Sequence, residues 1–331
     1  MKKTISILLF LLISIQISHA QCNGSLDLCP KQYNEVSYLT THNAFNSDQD
    51  GLLFPNQTYN IVSQLNDGVR SMMIDVYNNL FGTPVAYHSI IALGYIPLSD
   101  IFNDIKNFLD NNPNEIVTII LECYVTANDI EDEINQSGLS NYLYTHNSTW
   151  PTLQKMIDND NRLVIFTDVD DANSSQSWYH YIWDHAIETH FSVNTINEFS
   201  CDFNRGDPLN DLFILNHFVT DANLGHGLYT ESNDVNANPF FITRALDCQT
   251  QTNKLPNFVT VDYYELGDGL AVVDQLNSLT STSSISISEQ KLERKLLAIK
   301  DMLGRKTKMK SNSILFYLYD DGTVKKRIII E

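Results

Sequence analysis

Four runs decide how this chain is read: Y-L-T-T-H-N-A-F (38–45), G-V-R-S-M-M-I-D-V-Y (68–77), V-A-Y-H-S (85–89) and E-I-V-T-I-I-L-E (115–122). Each is an apolar, β-favouring segment whose downstream end carries a polar residue that an apolar core would reject. His42 and Asn43 close the first, Asp75 sits in the second, His88 closes the third and Glu122 the fourth. Successive strands that deliver polar residues at the same end describe a site. Strand alternation puts Met73, Asp75 and Tyr77 on one face, and Thr118, Ile120 and Glu122 on one face.

Outward from these runs the alternation continues. Helices are expected at Tyr59–Asn66, Leu98–Leu109, Ala127–Gln136, Thr152–Asn159, Ser177–Ile187 and Gly267–Leu276. Strands are expected at Val36–Thr41, Val69–Tyr77, Val85–His88, Ile116–Tyr124, Arg162–Asp168, Phe191–Val193, Leu212–Phe218 and Phe258–Tyr263. About eight apolar strands alternating with amphipathic helices predict a parallel sheet closed into a (β/α)8 barrel. A doubly wound open sheet is the rival, but the first strand lacks the Gly-rich turn that would support it.

The flanks differ from this centre. Lys2 and Lys3 precede a mostly apolar stretch from Ile5 to Ile17 and a Ser18-His19-Ala20 cleavage pattern, so residues 1–20 read as a signal peptide. The barrel is expected over 21–278. Residues 279–331 read as a Ser/Thr-rich linker, a helix at Glu289–Leu303, and a hairpin about Asp320-Asp321-Gly322. Export implies an oxidising compartment, secreted or lumenal. By position Cys22 is expected to pair with Cys29 and Cys201 with Cys248, leaving Cys123. Sequons stand at Asn23, Asn56, Asn135, Asn147 and Asn173.

Charge narrows the partners. Residues 21–288 carry 8 basic against 34 acidic groups, a net of −26, while 11 of the 21 basic residues fall in the last 41. Such a field excludes nucleic acid and disfavours long-range attraction to anionic membranes. Arg70 is one of few cations near the opening stretch, and so the candidate for a phosphate.

Two strand-end histidines, His42 and His88, suit paired acid–base work, because imidazole alone changes charge near neutral pH. Asn43, Asp75 and Glu122 form an oxygen set suited to a hard cation such as Ca²⁺. Asp262 is a candidate to orient His88, His217 and Asp262 end late strands that can line the same mouth, and Asp168 reads as a supporting or structural residue. His226, between two glycines, reads as a loop residue.

The runs T-H-N-A-F, R-S-M-M-I-D, Y-H-S and P-N-E-I-V-T-I-I-L-E resemble the X-box of phosphatidylinositol-specific phospholipase C, in its secreted X-domain-only form. The likeness extends more loosely through R-L-V-I-F-T-D, L-F-I-L-N-H-F and N-F-V-T-V-D-Y-Y, over about residues 30–277. The resemblance implies a distorted TIM barrel and cleavage of a phospholipid phosphodiester by internal attack of the inositol 2-hydroxyl. By it His42 is the general base and His88 the general acid. It also implies a Ca²⁺ site at Asn43, Asp75 and Glu122, with Met73 where the family has an acid and Tyr77 where metal-independent members have an arginine. The expected partner is a phospholipid or inositol phosphodiester met in transient contact with a membrane surface, and the protein is expected as a monomer. Two alternatives stand beside the phospholipase reading. One is a glycerophosphodiester-type phosphodiesterase of the same superfamily. The other is an inactive lipid- or inositol-phosphate-binding glycoprotein.

Overall fold

The computed structural model describes residues 21–170, 176–281, 296–300, 304–307, 314–319 and 324–328. The expected signal peptide and the sequon at Asn173 lie outside them. The chain divides into two compact units near residue 282.

In the first unit eight strands lie parallel: β1 (Tyr38–Thr41), β2 (Ser71–Asn78), β5 (Val117–Cys123), β6 (Leu163–Thr167), β7 (Tyr179–Tyr181), β8 (Ala186–Thr189), β10 (Leu212–Asn216) and β11 (Phe258–Val261). Their hydrogen-bonded order is β7-β6-β5-β2-β1-β11-β10-β8. The sheet curls into a distorted TIM barrel, and β1 pairs with β11 to join the first strand to the last. Short antiparallel pieces decorate it: β3 (Pro84–Ala86) returns along β2, β4 (Ile96–Pro97) pairs with β3, and β9 (Phe203–Gly206) pairs with β8.

Alternation along the strands sets up two packed surfaces. On β5, Ile119 and Leu121 belong to the cluster shared with the outer helices, whereas Ile120 joins the inner one with Tyr38, Phe166, Ile214 and Phe258. The helices follow their sequence periods. α1 (Ile61–Asn66) is capped by the Asn60 side chain. α2 (Leu98–Asn111) buries Leu98, Ile101, Phe102, Ile105, Phe108 and Leu109, each at about 1.5–3 kcal/mol of burial. α3 (Ala127–Ser137) opens on a Thr126/Asp129 capping box and ends at Gly138 with φ 77°. α4 (Leu153–Asp158), α5 (Tyr229–Val235), α6 (Phe240–Thr252) and α7 (Gly269–Ser281) complete the shell.

The differences from expectation lie mainly beyond β6. Where a helix is expected at Ser177–Ile187, the chain makes β7, a short 3₁₀ turn and the start of β8. The strand expected at Phe191–Val193 lies earlier, as β8. His88 does not end a parallel strand; it follows the antiparallel return β3. Disulfides join Cys22 to Cys29 and Cys201 to Cys248, and the buried Cys123 thiol donates to the Val125 carbonyl at 3.4 Å.

The second unit is a three-stranded antiparallel sheet of β12 (Leu296–Lys300), β13 (Ile314–Tyr319) and β14 (Val324–Ile328). A strand occupies Leu296–Lys300 in place of the expected helix, whose other residues lie outside those described. Among the described residues no helix is long and apolar enough to cross a membrane.

Candidate active site

Because β1 and β11 are register partners through Thr41 and Val261, the next residue on each, His42 and Asp262, emerge side by side. The His42 backbone N–H continues the ladder to the Val261 carbonyl at 3.0 Å. The His42 Nδ1–H then donates to Asp262 Oδ1 at 2.9 Å, with Asp262 fully buried. This hydrogen bond fixes the tautomer and leaves Nε2 with its lone pair. Asn43 Nδ2 lies 3.3 Å from that Nε2, as expected of an acceptor nitrogen. Phe218 stacks on the His42 ring at 4.0 Å and 8°, so the imidazole is held from below as well as from the side.

Asp262 therefore orients His42, not His88 as the sequence suggested. Its carboxyl is pushed up by burial and pulled back by the His42 charge and by hydrogen bonds from His42 and Asn56. Asn56 Nδ2 donates to Asp262 Oδ1 at 3.1 Å, and its Oδ1 accepts from Asn43 and Asn46 at 3.3 and 2.8 Å. Asn56 is fully buried. The sequon there is thus a site support and no glycan acceptor. Of the other sequons, Asn135 and Asn147 are exposed, while the Asn23 side chain exchanges two hydrogen bonds with the Ile116 backbone.

His88 is placed differently. Burial above all, then the neighbouring His42 and His226 charges, hold its imidazole down to about 4. The loop carrying His226 closes over His88: a Cβ added at Gly225, where φ is +68°, would lie 3.1 Å from His88 Cε1. On the other side of His226, a Cβ at Gly227 would lie 2.9 Å from Asp262 Oδ2. The G-H-G sequence is what lets this loop approach both members of the site.

A cleft opens beside His42, lined by Asp75, Glu122, Asp168, Glu188, Arg205 and Asn216 among others. The carboxylates and Asn216 stand at or just past the C-terminal ends of successive parallel strands, where barrel sites form. Glu188, Asn216 and Arg205 were absent from the sequence-based candidates. Glu188 is buried and accepts from Arg205, from Asn204 Nδ2 at 3.0 Å and from Asn216 Nδ2 at 3.1 Å. The Arg205 guanidinium also lies over the Trp183 and Phe191 rings, at 4.4 and 4.5 Å. Inward parity on β8 and β10 was the signal available, but the helix expected at Ser177–Ile187 covered the start of β8.

Arg70 is not at this site. It precedes β2 at the opposite edge of the barrel, bonded to Glu115 at 2.6 Å and to the Leu65 and Val69 carbonyls at 2.7 and 2.8 Å. His217 is fully buried, donating from Nε2 to the Val235 carbonyl at 2.9 Å and stacked on Phe241. It is a core residue.

The oxygen set for calcium was tested on its donors. Asp75 and Glu122 are register partners, and burial, then the Glu122 and Asp168 charges, push the Asp75 carboxyl well above the usual range. Asn43 Oδ1 is buried without a donor. Yet Glu122 is exposed and accepts from the Tyr124 hydroxyl at 2.6 Å, and a Met73 thioether lines the cleft beside Asp75. Among the described residues no three His, Cys, Asp or Glu side chains converge to hold an ion. The expected set of Asn43, Asp75 and Glu122 offers two carboxylates and one amide oxygen, fewer hard donors than the about six to eight oxygens that Ca²⁺ takes.

With this geometry in hand, similarity to known proteins is decisive. The family model described as PI-PLC X 1 matches residues 28–277. The chain belongs to the PI-PLC X family. A PI-PLC X domain-containing protein of Arabidopsis thaliana is 28% identical over 272 residues, covering 75% of this chain and 62% of the relative. An uncharacterized secreted protein of Arthroderma benhamiae is 28% identical over 292 residues, covering 78% and 64%. The chain thus spans under two thirds of the length of these two relatives. Among solved structures, phosphatidylinositol-specific phospholipase C from Listeria monocytogenes matches with a TM-score of 0.51 at 16% identity, over 76% of this chain and 94% of that one. At that identity the likeness is one of fold, and it agrees with the PI-PLC X barrel described above.

Proposed function

We propose that this PI-PLC X chain is a secreted phosphodiesterase that cleaves the headgroup phosphodiester of an inositol-type phospholipid. The observation that carries it is the His42–Asp262 hydrogen bond, which leaves Nε2 as a base at the cleft. In this reading Nε2 takes the proton of the headgroup 2-hydroxyl as its oxygen forms a bond to phosphorus. The bond from phosphorus to the diacylglycerol oxygen breaks, and His88 gives that oxygen a proton. His88 is neutral at rest near pH 7. The incoming phosphodiester anion supplies the opposite charge that favours its protonated form. Roles reverse if water then opens the cyclic phosphate. The carboxylates along the cleft accept hydroxyl hydrogen bonds and repel additional phosphates, so a headgroup without further phosphorylation suits them. The two disulfides, and the name of the secreted relative, support an extracellular setting, where Asn135 and Asn147 are the exposed sequons among the described residues.

A second reading is binding without turnover. The depressed His88 and the lack of a converged cation site favour it. The test is release of water-soluble inositol phosphate from labelled phosphatidylinositol by wild type, His42→Ala and His88→Ala, with and without a calcium chelator. Each variant is expected to lose about 10²–10⁴-fold, and the chelator to leave the wild-type rate unchanged. Equal rates in all three proteins would sink the acid–base pair. No turnover of any phosphodiester by the wild type would leave the binding reading.

A further inference from the structure

A phosphodiester brings negative charge to a cleft lined by Asp75, Glu122, Asp168 and Glu188. Among the described residues, Arg205 is the one Lys or Arg in that lining, and Glu188 already holds it. Burial keeps His88 neutral at rest, and Asp262 sets His42 up as a base. A transferring phosphoryl group is stabilised by positive charge aimed at its oxygens. None of these groups is free to supply it.

His226 is the group left over. It sits on the loop from β10 to α5, and that loop is built, not slack. The Gly225 N–H donates to the Asp221 carbonyl at 2.9 Å, and the Asp221 N–H to the His226 carbonyl at 2.9 Å. Asp221 Oδ1 accepts from the Asn223 and Leu224 N–H groups at 2.9 Å, and Thr220 and Gly227 pair as an antiparallel bridge. The flanking glycines press on the two ends of the site. A Cβ at Gly225 would lie 3.4 Å from His88 Nε2, and one at Gly227 2.9 Å from Asp262 Oδ2. Neighbouring Cα atoms are about 3.8 Å apart, so the residue between these glycines is within a side chain's reach of both. Its ring packs on Phe54 at 5.1 Å and 50°, two residues before the Asn56 that supports Asp262.

Two atoms there have no partner. His226 Nδ1 and Asp262 Oδ2 are both buried without a hydrogen bond, and such orphans are rare enough in folded proteins to need a reason. A histidine kept only for packing would have its ring nitrogen satisfied. The His226 charge also pulls the Asp262 and Asp221 carboxyls down and opposes protonation of His88. It acts on the site electrically as well as sterically.

We infer that His226 is a third site histidine and a phosphate ligand, whose protonated ring donates to a non-bridging oxygen of the bound phosphodiester. His42 takes a proton, His88 gives one, and His226 keeps its own. The free oxygen of Asp262 favours that charged form. The organic part of the substrate rests on the phosphodiesterase reading; the anion site does not.

The test separates the two. Wild type, His226→Gln and His226→Lys are titrated calorimetrically with inorganic sulfate on either side of the free imidazole value of about 6.5, and assayed on a water-soluble inositol phosphodiester. Sulfate keeps its charge throughout, so a change with pH belongs to the protein. The titratable groups that face His226 are His88, Asp262 and Asp221. Wild type is expected to bind sulfate more tightly on the acid side. His226→Gln is expected to bind about tenfold or more weakly there and to show a flatter pH dependence, the remainder belonging to His42 and His88. Its turnover should fall about 10²–10³-fold with the melting temperature unchanged, and His226→Lys should recover part of the sulfate affinity at both pH values. Affinity and pH slope untouched by His226→Gln would overturn the assignment. So would a loss that His226→Lys does not begin to repair, which would make the residue a spacer of its loop. Sulfate binding as expected beside a wild type that turns over no phosphodiester would sink the proposed reaction and leave the anion site standing.

Discussion

At the N-terminal edge of the parallel strands, Arg70 and Arg162 are tied into carbonyl and carboxylate partners. Arg70 holds Glu115 and two carbonyls. Arg162 holds Asp160 at 2.7 Å and the Leu109 and Asn112 carbonyls at 3.0 Å. At the C-terminal edge the polar groups are left incomplete. Asn43 Oδ1 and Asp262 Oδ2 are buried without donors, burial and like charge push Asp75 upward, and His88 is held down to about 4. The cations of one edge are paired, and the acid–base groups of the other are poised. Charge near a strand end is therefore ambiguous in sequence; only the partners tell scaffold from site.

The sharpest way to break this contrast is to change each edge by one atom set. Asp262→Asn keeps the size of the side chain but cannot favour the His42 imidazolium or demand the same tautomer. Turnover of phosphatidylinositol is expected to fall about 10²–10⁴-fold. The melting temperature should hold or rise slightly, since an uncharged group replaces a carboxylate that burial disfavours. A large loss of stability with unchanged turnover per folded molecule would make Asp262 scaffold. At the other edge, Arg70→Ala should do the reverse. Losing its hydrogen bonds and leaving Glu115 half-buried without its partner costs about 1–3 kcal/mol, several degrees of melting temperature, with turnover per folded molecule unchanged. If Arg70→Ala instead raised KM for a soluble phosphodiester, the phosphate role first given to it by its position in sequence would return.

The satisfied edge and the core were the more legible parts. Strands β1, β2, β5, β6, β10 and β11 and helices α2 to α4 announce themselves through alternation or a 3.6-residue period, because burial on one face writes that pattern directly. The stretch Ser177–Ile187 misleads because its aromatic residues also fit a helix, while β7 has only three residues and owes its existence to pairing with β6. Tertiary pairing overrode local pattern there, and Glu188 was lost with it. The helices α5 and α6 lie in a long connection whose polar residues masked their apolar positions. At the site, His42, Asn43, Asp75 and Glu122 were readable as strand-end residues. Which histidine Asp262 would serve was not, because that depends on β11 closing against β1 across 220 residues of sequence. Asn56 was read by its sequon, a three-residue pattern blind to burial.

The mildest expected effect comes from acid, and it probes the poised edge together with the barrel's inner layer. His88, His180 and His185 are each pushed down to about 4, chiefly by burial. His180 and His185 also face each other and His146 among Trp150 and Phe166. A histidine whose folded pKa is depressed binds its proton more readily when unfolded. Its contribution is therefore intact above the unfolded value of about 6.5 and is lost as pH falls from there toward 4. The melting temperature should decline through that window and level off above pH 7. Replacing the charge-forming rings separates the two places. His88→Gln should flatten the slope in part, and His180→Gln with His185→Gln should flatten it further, since two depressed rings lie there. A profile unchanged by the His180/His185 pair would move the acid sensitivity to His88 and to His217 and His146, whose imidazoles burial also pushes down, and His217→Gln would then separate the core from the site.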